Sequence, residues 1–281
     1  MVSTVGQFLH EAETHLSSHS PSPRLDAEVL VMHVCGLSRA ELLTRAHVEL
    51  RQTSLTRLQT LLARRAAGEP LAYLTGVREF WSLPLRVSAD VLIPRPETEL
   101  LVERALAHVP PAASWTIADL GTGSGAIAIA IARERPRSRL FATDASAAAL
   151  EVARENAHRH HVTNIEFREG NWCAALGKER FELIVSNPPY VCEADSHLAR
   201  GDVRFEPRAA LVAGADGLDA IRTIVADCPR YLADMGRLLL EHGHDQAAAI
   251  SRILIGAGFR DIVVHRDLAD LERVTEARRA T

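Results

Sequence analysis

The stretch WTIADLGTGSGAIAIAIARER, residues 115–135, decides the fold class of this 281-residue chain. It predicts a strand, WTIADL, then a glycine loop, GTGSG, and then a helix, AIAIAIARER. The same order returns in RLFATD and SAAALEVARENAHR, and NIEFREG and FELIVSN predict a third and a fourth strand. Strands that alternate with helices in this way predict a parallel sheet covered by helices on both faces.

The sequence on either side of these elements completes the predicted architecture. Downstream, GRLLLEHG predicts a fifth strand, and FRDIVVHRD and LERVTEARR predict two closing strands. Upstream, residues 1–75 show only helical spacing, which predicts a small helical bundle. Between the two lies REFWSLPLRV, where two short β-like runs flank a turn at Ser82 to Pro84. We therefore predict a helical domain, a hairpin linker and one large α/β domain.

Composition and charge exclude several classes of protein. A net charge of -4 and a pI near 6.4 argue against affinity for many phosphates. No apolar run approaches the ~20 residues of a membrane span, and the N-terminal segment lacks the pattern of a secretory signal. The four cysteines are far apart, without zinc-like spacing. We expect a cytoplasmic protein that binds neither metal, membrane nor nucleic acid directly and acts as a monomer.

The glycine loop DLGTGSG, Asp119 to Gly125, predicts a nucleotide-type ligand. Missing Cβ atoms let a ligand approach the backbone at this point, although a plain tight turn has the same pattern. No lysine follows the last glycine, and the third glycine arrives one residue early for GxGxxG. Asp144 ends the second strand, where its carboxylate is placed to accept hydrogen bonds from both hydroxyls of a ribose. A ligand with a ribose and no phosphate fits best, and S-adenosylmethionine is the common one.

The motif SNPPY, Ser186 to Tyr190, ends the fourth strand. In an open parallel sheet, ligands bind beyond the carboxyl ends of the strands where the strand order reverses. The first and fourth strands flank that crevice, so SNPPY and the glycine loop are expected to face each other. Two prolines force the chain out of the sheet and hold the preceding carbonyls in a set direction. An Asn-Pro turn explains SNPPY alone, but not its combination with DLGTGSG and Asp144.

The residues of SNPPY suit an acceptor nitrogen whose lone pair is delocalised, as in an amide or an aromatic amine. Such a nitrogen attacks a methyl group poorly unless its hydrogens are held and its lone pair is aimed. The side-chain oxygen of Asn187 and the carbonyl of Pro188 can each accept one N–H bond, while Tyr190 stacks on the planar group. We therefore predict catalysis by positioning, without a strong general base.

Further stretches extend these motifs into a family resemblance. The sequence resembles the release-factor glutamine methyltransferases, the HemK or PrmC family, from about residue 24 to the end. The matching stretches are GEPLAYLTGVREFWSLPLRVS (68–88), LIPRPETE (92–99), DLGTGSGAIAIAIA, IVSNPPY, HLARGDVRFEPRAALVAG (197–214), LLLEHG (238–243) and ERVT (272–275).

The resemblance implies a fold, a division into domains and an activity. The fold is α/β: a Rossmann-like seven-stranded class I methyltransferase sheet with a small N-terminal helical bundle joined by a β-hairpin. The domains are an N-terminal helical substrate-binding domain over residues 1–75, a β-hairpin linker over 76–95 and an S-adenosylmethionine-dependent methyltransferase domain over 96–281. The activity is transfer of a methyl group to the side-chain amide nitrogen (N5) of the glutamine in the GGQ motif of class-I peptide chain release factors, with S-adenosylhomocysteine as the product.

The resemblance also implies roles for individual residues. By matching position, the donor-binding residues are Gly121, Thr122, Gly123, Ser124, Gly125, Asp144 at the ribose, Trp172 near the adenine, and Asn187. The residues that bind the glutamine are Asn187, Pro188, Pro189 and Tyr190, of which Asn187, Pro188 and Tyr190 are the expected catalytic residues. Ser124 stands where the family often has threonine, a conservative departure.

Two other functions fit part of this pattern. An amino-methyltransferase acting on adenine or cytosine in nucleic acid needs the same NPPY frame, because its acceptor is chemically similar. The acidic balance and the helical N-terminal segment favour a protein substrate. A catalytically silent scaffold is the other alternative, and the intact Asn187 and Tyr190 argue against it.

Other polar residues have less distinct roles in the sequence. By the same resemblance, Arg95 to Glu97 are expected to border the substrate cleft. Arg204 and Glu206 either pair with each other or order a lid over the cleft, and a solvated loop is the alternative. His242 belongs to EHGHD, which ends the fifth strand near the cleft and has either a structural or a ligand-binding role. HRHH, residues 158–161, is expected at the end of a helix, where cations suit the helix dipole.

Overall fold

The computed structural model describes residues 4–199 and 201–280, which form two compact units. The first unit contains the described residues up to Val77 together with His197–Phe205. The second contains Arg78–Ser196 and the described residues from Glu206 onward. None of the helices in the described part of the chain combines the length and the apolar content that crossing a membrane requires.

The first unit consists of helices, as its apolar spacing predicts. They are α1 (Val5–Leu16), α2 (Pro23–Cys35), α3 (Arg39–Thr44), α4 (Gln52–Ala66) and α5 (Leu71–Thr75). Gly36 ends α2 in the left-handed conformation that glycine adopts without steric cost. Ser38 and Glu41 form the predicted capping box at the start of α3. These caps satisfy backbone groups that the short helices leave unpaired.

A buried arginine holds the segment His197–Phe205 to the helices of this unit. Arg65 in α4 is 5 % exposed, and its Nε donates to Asp26 in α2 over 2.6 Å. Its Nη1 donates over 2.9 Å to Asp202, which lies in a short 3-10 turn of that segment. One guanidinium thus joins three separate parts of the chain, because its planar donors reach two carboxylates at once.

The second unit contains the remaining α-helices and the nine strands of the described residues, except that Val77, the first residue of the first strand, belongs to the first unit. The strands are β1 (Val77–Phe80), β2 (Leu83–Arg86), β3 (Thr116–Leu120), β4 (Arg139–Asp144), β5 (Ile165–Glu169), β6 (Phe181–Ser186), β7 (Leu232–Glu241), β8 (Phe259–Arg266) and β9 (Glu272–Arg279). The helices are α6 (Glu99–His108), α7 (Ala126–Glu134), α8 (Ala147–Arg159), α9 (Asp219–Asp227) and α10 (Ala247–Gly256).

Strands β1 and β2 form the predicted hairpin, but the predicted position of its turn is wrong. The turn lies at Trp81 and Ser82, and Leu83 and Pro84 belong to β2 instead. Both turn residues have positive φ values, 53° and 57°. Two consecutive positive values are characteristic of the tight turn whose twist matches that of paired strands. The usual Asn-Gly signal for this turn is absent from the sequence.

The seven-stranded sheet confirms the predicted fold class. Its strand order is β5-β4-β3-β6-β7-β9-β8. Strands β3 to β7 are parallel, whereas β9 is antiparallel to both β7 and β8. The chain runs outward from β3 in one direction through β4 and β5, and in the other through β6 and β7. The order therefore reverses between β3 and β6, and their carboxyl ends flank the crevice where such sheets bind ligands.

Helix α7 shows why the sheet is buried on both faces. Every residue from Ala126 to Ala132 is buried, so this helix lacks a solvent face over two turns. It packs in one apolar cluster with residues of β3 and α6, and a second cluster on the opposite face contains Phe141 and Phe181. A continuous apolar run without polar alternation is expected for elements covered on all sides.

A buried asparagine in α8 joins the hairpin to the glycine loop. Asn156 is fully buried, and its Oδ1 accepts from the backbone N–H of Arg86 over 2.6 Å. Its Nδ2 donates to the carbonyls of Arg86 and Ser124, each over 2.9 Å. One side chain therefore makes hydrogen bonds to three backbone groups in two separate segments.

We expect Asn156→Ala to lower the free energy of unfolding by about 2 kcal/mol, because it leaves buried backbone groups without partners. Chemical denaturation monitored by circular dichroism measures this change. Glu151→Ala, at an exposed position of the same helix, is the matched control and should change stability by no more than about 0.5 kcal/mol. Equal stability of the two variants would contradict the role of Asn156.

Candidate active site

A cavity of about 500 Å³ lies at the carboxyl ends of β3, β4 and β6. Its volume falls within the roughly 300 to 1,000 Å³ of typical small-ligand sites. Leu120 at the end of β3 lies opposite Ser186 at the end of β6. The glycine loop and SNPPY therefore leave the sheet side by side, and both contribute to the lining of this cavity.

The cavity brings together most of the residues singled out from the sequence. Those that line it are Gly121, Thr122, Gly123, Ser124, Asp144, Trp172, Asn187 and Pro189, with Arg95 also in the lining. The residues Gly125, Pro188 and Tyr190 adjoin these in the chain but are not part of the lining that the structure describes.

Backbone conformation explains the spacing of the glycines in the loop. The φ values of Gly121, Gly123 and Gly125 are 73°, 56° and 82°. Residues with a side chain rarely adopt this conformation. A Cβ on Gly125 would lie 2.9 Å from the Cδ1 of Ile129, so this glycine permits close packing. At Gly123, by contrast, a Cβ would meet no atom within 4 Å from the other described residues, its two chain neighbours aside, so this glycine leaves open space in the cavity lining.

The carboxylate of Asp144 is held by the glycine loop itself. Its Oδ2 accepts from the backbone N–H of Gly123 over 2.9 Å. Its Oδ1 accepts from the backbone N–H of Ser146, also over 2.9 Å. Since a carboxylate offers about four lone-pair positions, two acceptor positions remain for a ligand. The loop and the acidic residue that follows it thus form one rigid unit.

A second carboxyl lies beneath the loop and was not assigned a role from the sequence. Asp119 is fully buried, and the Thr122 hydroxyl donates to its Oδ2 over 2.6 Å. Its Oδ1 has no hydrogen-bond partner among the described residues. Burial raises the pKa of Asp119 to about 7, against the opposing effect of the Thr122 hydrogen bond. The carboxyl therefore titrates near neutral pH and braces the loop from below.

Trp172 lines the cavity next to the glycine loop. This residue has a φ of 45° and begins a short 3-10 helix after β5. A Cβ on Gly121 would lie only 3.0 Å from its Cζ3. The indole and the first glycine of the loop are therefore in close contact, and a larger residue at 121 would displace the ring.

Side chains and backbone groups hold SNPPY from two sides. The Nδ2 of Asn187 donates to the Thr98 hydroxyl over 3.2 Å. The carbonyl of Tyr190 accepts from the Nε2 of Gln246 over 3.0 Å. Burial raises the pKa of Tyr190, and the negative charge of Glu241 acts in the same direction. The phenol of Tyr190 is consequently neutral across the physiological range.

The structure decides between the alternatives for Arg204 and Glu206, which do not pair with each other. Glu206 is buried, accepts from the backbone N–H of Ile93 over 3.1 Å and pairs with Arg95. Arg204 belongs to the first unit, where its guanidinium donates to the carbonyl of Ala67. Glu206 thus orders the cavity-lining segment that precedes α6, and Arg204 stabilises a different unit.

The hydrogen bonds of His242 go to neighbouring protein groups, which favours the structural of its two predicted roles. It is fully buried, and its Nδ1 donates to the carbonyl of Gly243 over 2.8 Å because a carbonyl can only accept. Its Nε2 then accepts from the Thr275 hydroxyl, also over 2.8 Å. Burial lowers the pKa of His242, which keeps the ring neutral.

The HRHH segment lies at the end of α8, as predicted, with His160 at the C-cap. Within residues 4–199 and 201–280, no cluster of three or more metal-ligating side chains is present.

Sequence reasoning missed the contribution of Thr98 and assigned no definite role to Glu241. Thr98 ends a short 3-10 turn and lines the cavity beside Asn187. Glu241 ends β7 and is 1 % exposed, and its Oε2 has no hydrogen-bond partner in the described chain. Both residues fall in stretches that carry the family resemblance, LIPRPETE and LLLEHG. Their proximity to Asn187 could not be predicted, because it depends on the alignment of β6 with β7 and on the packing of the turn before α6.

Known proteins resemble this chain over most of its length. The pattern of the PrmC N-terminal domain matches residues 7–76, and that of the methyltransferase small domain matches residues 96–203. A release factor glutamine methyltransferase of Burkholderia pseudomallei is 52 % identical over 92 % of this chain and 93 % of its own length. One from Escherichia coli is 48 % identical over 96 % of this chain and 97 % of its own length.

A solved structure supports the fold independently of these relatives. A methyltransferase from Pyrococcus furiosus superposes with a TM-score of 0.54 at 14 % identity, covering 82 % of this chain and 100 % of that one. At this identity the likeness concerns the fold alone. The identity to the two bacterial relatives, nearly half of all positions across almost the whole length, is what places the protein: the chain belongs to the release factor glutamine methyltransferase family.

Proposed function

We propose that this protein transfers a methyl group from S-adenosyl-L-methionine to the side-chain amide nitrogen of a glutamine, the one in the GGQ motif of class-I peptide chain release factors. The observation that carries the proposal is that SNPPY and the glycine loop line one cavity. An acceptor frame for a planar nitrogen then lies beside a cradle for a nucleoside. Membership of the release factor glutamine methyltransferase family supports the protein amide as the acceptor.

The cavity lining fits S-adenosylmethionine as the methyl donor. Asp144 has two free acceptor positions for the hydroxyls of a ribose. Trp172 offers an aromatic face, and Ile127 and Ala149 give the lining an apolar part for an adenine. Gly123 leaves space where a side chain would obstruct the ligand. These residues are the ones that would hold the donor.

The residues of SNPPY would orient the acceptor. When bound, S-adenosylmethionine supplies a methyl group on a sulfonium, which is the electrophile of the reaction. The Oδ1 of Asn187 and the carbonyl of Pro188 each accept one hydrogen of the substrate amide, and Tyr190 packs against its plane. Holding both hydrogens directs the nitrogen lone pair toward the cavity. Positioning of this kind supplies a large part of a rate enhancement.

We further infer that the enzyme works as a monomer in the cytoplasm, without a metal and without direct contact to nucleic acid. The net charge of -4 supports this inference, because binding to nucleic acid relies on neutralising phosphates. The first unit, with its helices and the segment held by Arg65, is the part we assign to binding the release factor.

The function is tested by incubating the purified protein with methyl-labelled S-adenosylmethionine and either a release factor or DNA. We expect label in the release factor alone, on the peptide that contains the GGQ motif, with the added mass of one methyl group. A release factor whose GGQ glutamine is replaced by glutamate should remain unlabelled. Label in DNA and not in the release factor would instead assign the protein to the nucleic-acid amino-methyltransferases.

We expect Asn187→Ala to reduce kcat by at least ~100-fold, because the substrate nitrogen is no longer aimed. Affinity for the donor should stay within a few-fold, since one net hydrogen bond contributes only ~0.5 to 1.5 kcal/mol. Single-turnover kinetics and calorimetric titration with the donor measure the two quantities separately. Turnover close to that of the unaltered enzyme would remove Asn187 from the acceptor frame.

We expect Asp144→Ala to weaken donor binding by roughly 10- to 100-fold, because hydrogen bonds to a charged group contribute about 1.5 to 3 kcal/mol. Calorimetry with S-adenosylmethionine measures this affinity directly. Glu169→Ala is the matched control, since Glu169 lies opposite Asp144 at the end of β5 and is exposed outside the cavity lining. If both variants bind the donor equally well, Asp144 does not hold the ribose.

A further inference from the structure

Glu241, Thr98 and Asn187 meet at the carboxyl ends of β6 and β7. In the parallel pairing of these strands, Ser186 lies opposite Leu240. Asn187, the first residue after β6, and Glu241, the last residue of β7, therefore follow this pair at the same edge of the sheet. Thr98 completes the group, because its hydroxyl accepts a hydrogen bond from Asn187 over 3.2 Å.

The burial of Glu241 is unusual for a carboxyl group. Its side chain is almost fully removed from solvent, and Oε2 has no hydrogen-bond partner in the residues that the structure describes. A buried carboxylate without a close cation is costly, because desolvation is not repaid by pairing. A hydrophobic residue would stabilise the fold better at this position. The site therefore requires an explanation other than stability.

The hydrogen bonds in this group have a definite direction. The Thr98 hydroxyl has one hydrogen, and its oxygen accepts from Asn187, so its hydrogen is available to Glu241. Hydrogen bonding by the Thr98 hydroxyl and the Asn187 amide lowers the pKa of Glu241, which indicates that both donors lie near its carboxyl, while Oε2 itself has no hydrogen-bond partner among the described residues. The Thr98 oxygen and the Glu241 carboxylate, the two acceptors near Asn187, are thus both on the side of its amide nitrogen.

We infer that Glu241 and Thr98 are positioning residues, which hold the nitrogen of the Asn187 carboxamide and leave its oxygen as the acceptor for the substrate amide. A carboxylate has no hydrogen to donate, so a flipped Asn187 would direct its oxygen at another acceptor. The flipped amide would also present N–H groups to the N–H groups of the substrate. The inference rests on the proposed function, since the orientation matters only if an amide nitrogen is bound there.

The charges around Glu241 make this orientation sensitive to pH. Burial raises the pKa of Glu241 to about 7, while Thr98 and Arg273 in β9 lower it and Glu97 raises it. Tyr190, in the loop after β6, faces the same carboxyl and is neutral. Above pH 7 the ionised group only accepts hydrogen bonds. Below pH 7 it gains a hydrogen that competes with Asn187 for the Thr98 oxygen, so kcat should rise as pH increases through about 7.

Variants of Glu241 and Thr98 test the inference kinetically. We expect Glu241→Gln to lower kcat by ~10- to 100-fold with little change in KM, because its amide N–H favours the flipped Asn187. Donor affinity should stay within about three-fold, because the nucleoside side of the cavity is unaltered. Thr98→Val should show a similar loss, and Thr98→Ser, which restores the hydroxyl, should recover most of it. The Glu241→Gln and Thr98→Val double variant should lose little more than either single variant, because the two residues act as one unit.

The matched control is Glu276→Gln. Glu276 is also a buried carboxyl, but it lies in β9 and pairs with His108, His265 and Arg237 away from the cavity lining. Its variant should keep kcat within about two-fold, as expected for a substitution without contact to the site. Asp119 is unaltered in both variants, so the kcat of Glu241→Gln should change less between pH 6 and 8 than that of Glu276→Gln, by the part that Glu241 contributes.

A spectroscopic measurement tests the inference without any turnover. The side-chain NH₂ signals of Asn187, identified by their absence in Asn187→Ala, should shift with pH around a midpoint near 7. The shift should be absent in Glu241→Gln and present in Glu276→Gln. Because this readout needs no substrate, it separates a wrong inference from a wrong proposed function, which would show as an unmodified release factor with the unaltered enzyme.

Several results would overturn the inference. The first is a kcat of Glu241→Gln equal to that of Glu276→Gln. The second is a loss of kcat in Glu241→Gln that weaker donor binding or a lower Tm explains. The third is that the side-chain NH₂ signals of Asn187 do not respond to pH. The last result would exclude the contact even if the release factor were methylated normally. Loss of kcat together with a silent pH titration would assign Glu241 a purely structural role.

Discussion

The parallel pairing of β3 with β6 is the constraint on which the site depends. It places Leu120 opposite Ser186, so the glycine loop and SNPPY leave the sheet at the same level. Strand β4 extends the same edge on one side and ends at Asp144, and β7 extends it on the other and ends at Glu241. Because parallel strands end at a common edge, the segments at the ends of β3, β4 and β6 meet around one cavity, and Glu241 lies at the same edge without lining it. Two hydrogen bonds then orient side chains within that arrangement. One joins Gly123 to Asp144, and the other joins Asn187 to Thr98.

The two carboxyls buried at this edge, Asp119 and Glu241, oppose the stability of the fold. Burial raises the pKa of each to about 7, well above the ordinary value for a carboxyl. A group whose pKa is raised in the folded state stabilises the protein most below its unfolded pKa, and that stability is lost as pH rises through the folded value. The protein therefore gives up stability in the pH range where Glu241 is ionised. A loss of folding stability at Glu241 is consistent with its role in orienting Asn187, since functional sites often retain buried charges that destabilise the fold.

Much of this architecture was predictable because strong local patterns agreed with the tertiary fold. The strands around DLGTGSG and SNPPY, the capping box at Ser38 and the helical N-terminal segment all follow from residue type and spacing. The hairpin turn was misplaced, because Trp81 and Ser82 adopt positive φ without the glycine or asparagine that usually signals it. The partner of Glu206 was unpredictable for a different reason. Its contacts, Arg95 and Ile93, lie more than a hundred positions away in sequence, and no periodic pattern encodes such a distance.

By itself, the sequence determined which residue types were available: a loop of glycines, a carboxylate about 20 residues further on, and an amide before two prolines. It also determined the order of strands and helices, because hydrophobic periodicity is a local property of the chain. Only the tertiary structure decided which side chains face each other. Thr98 and Glu241 lie near Asn187 in space but far from it in the chain. Their meeting depends on the register between β6 and β7 and on the packing of the turn before α6, both of which arise from the whole folded core and from no single stretch of residues.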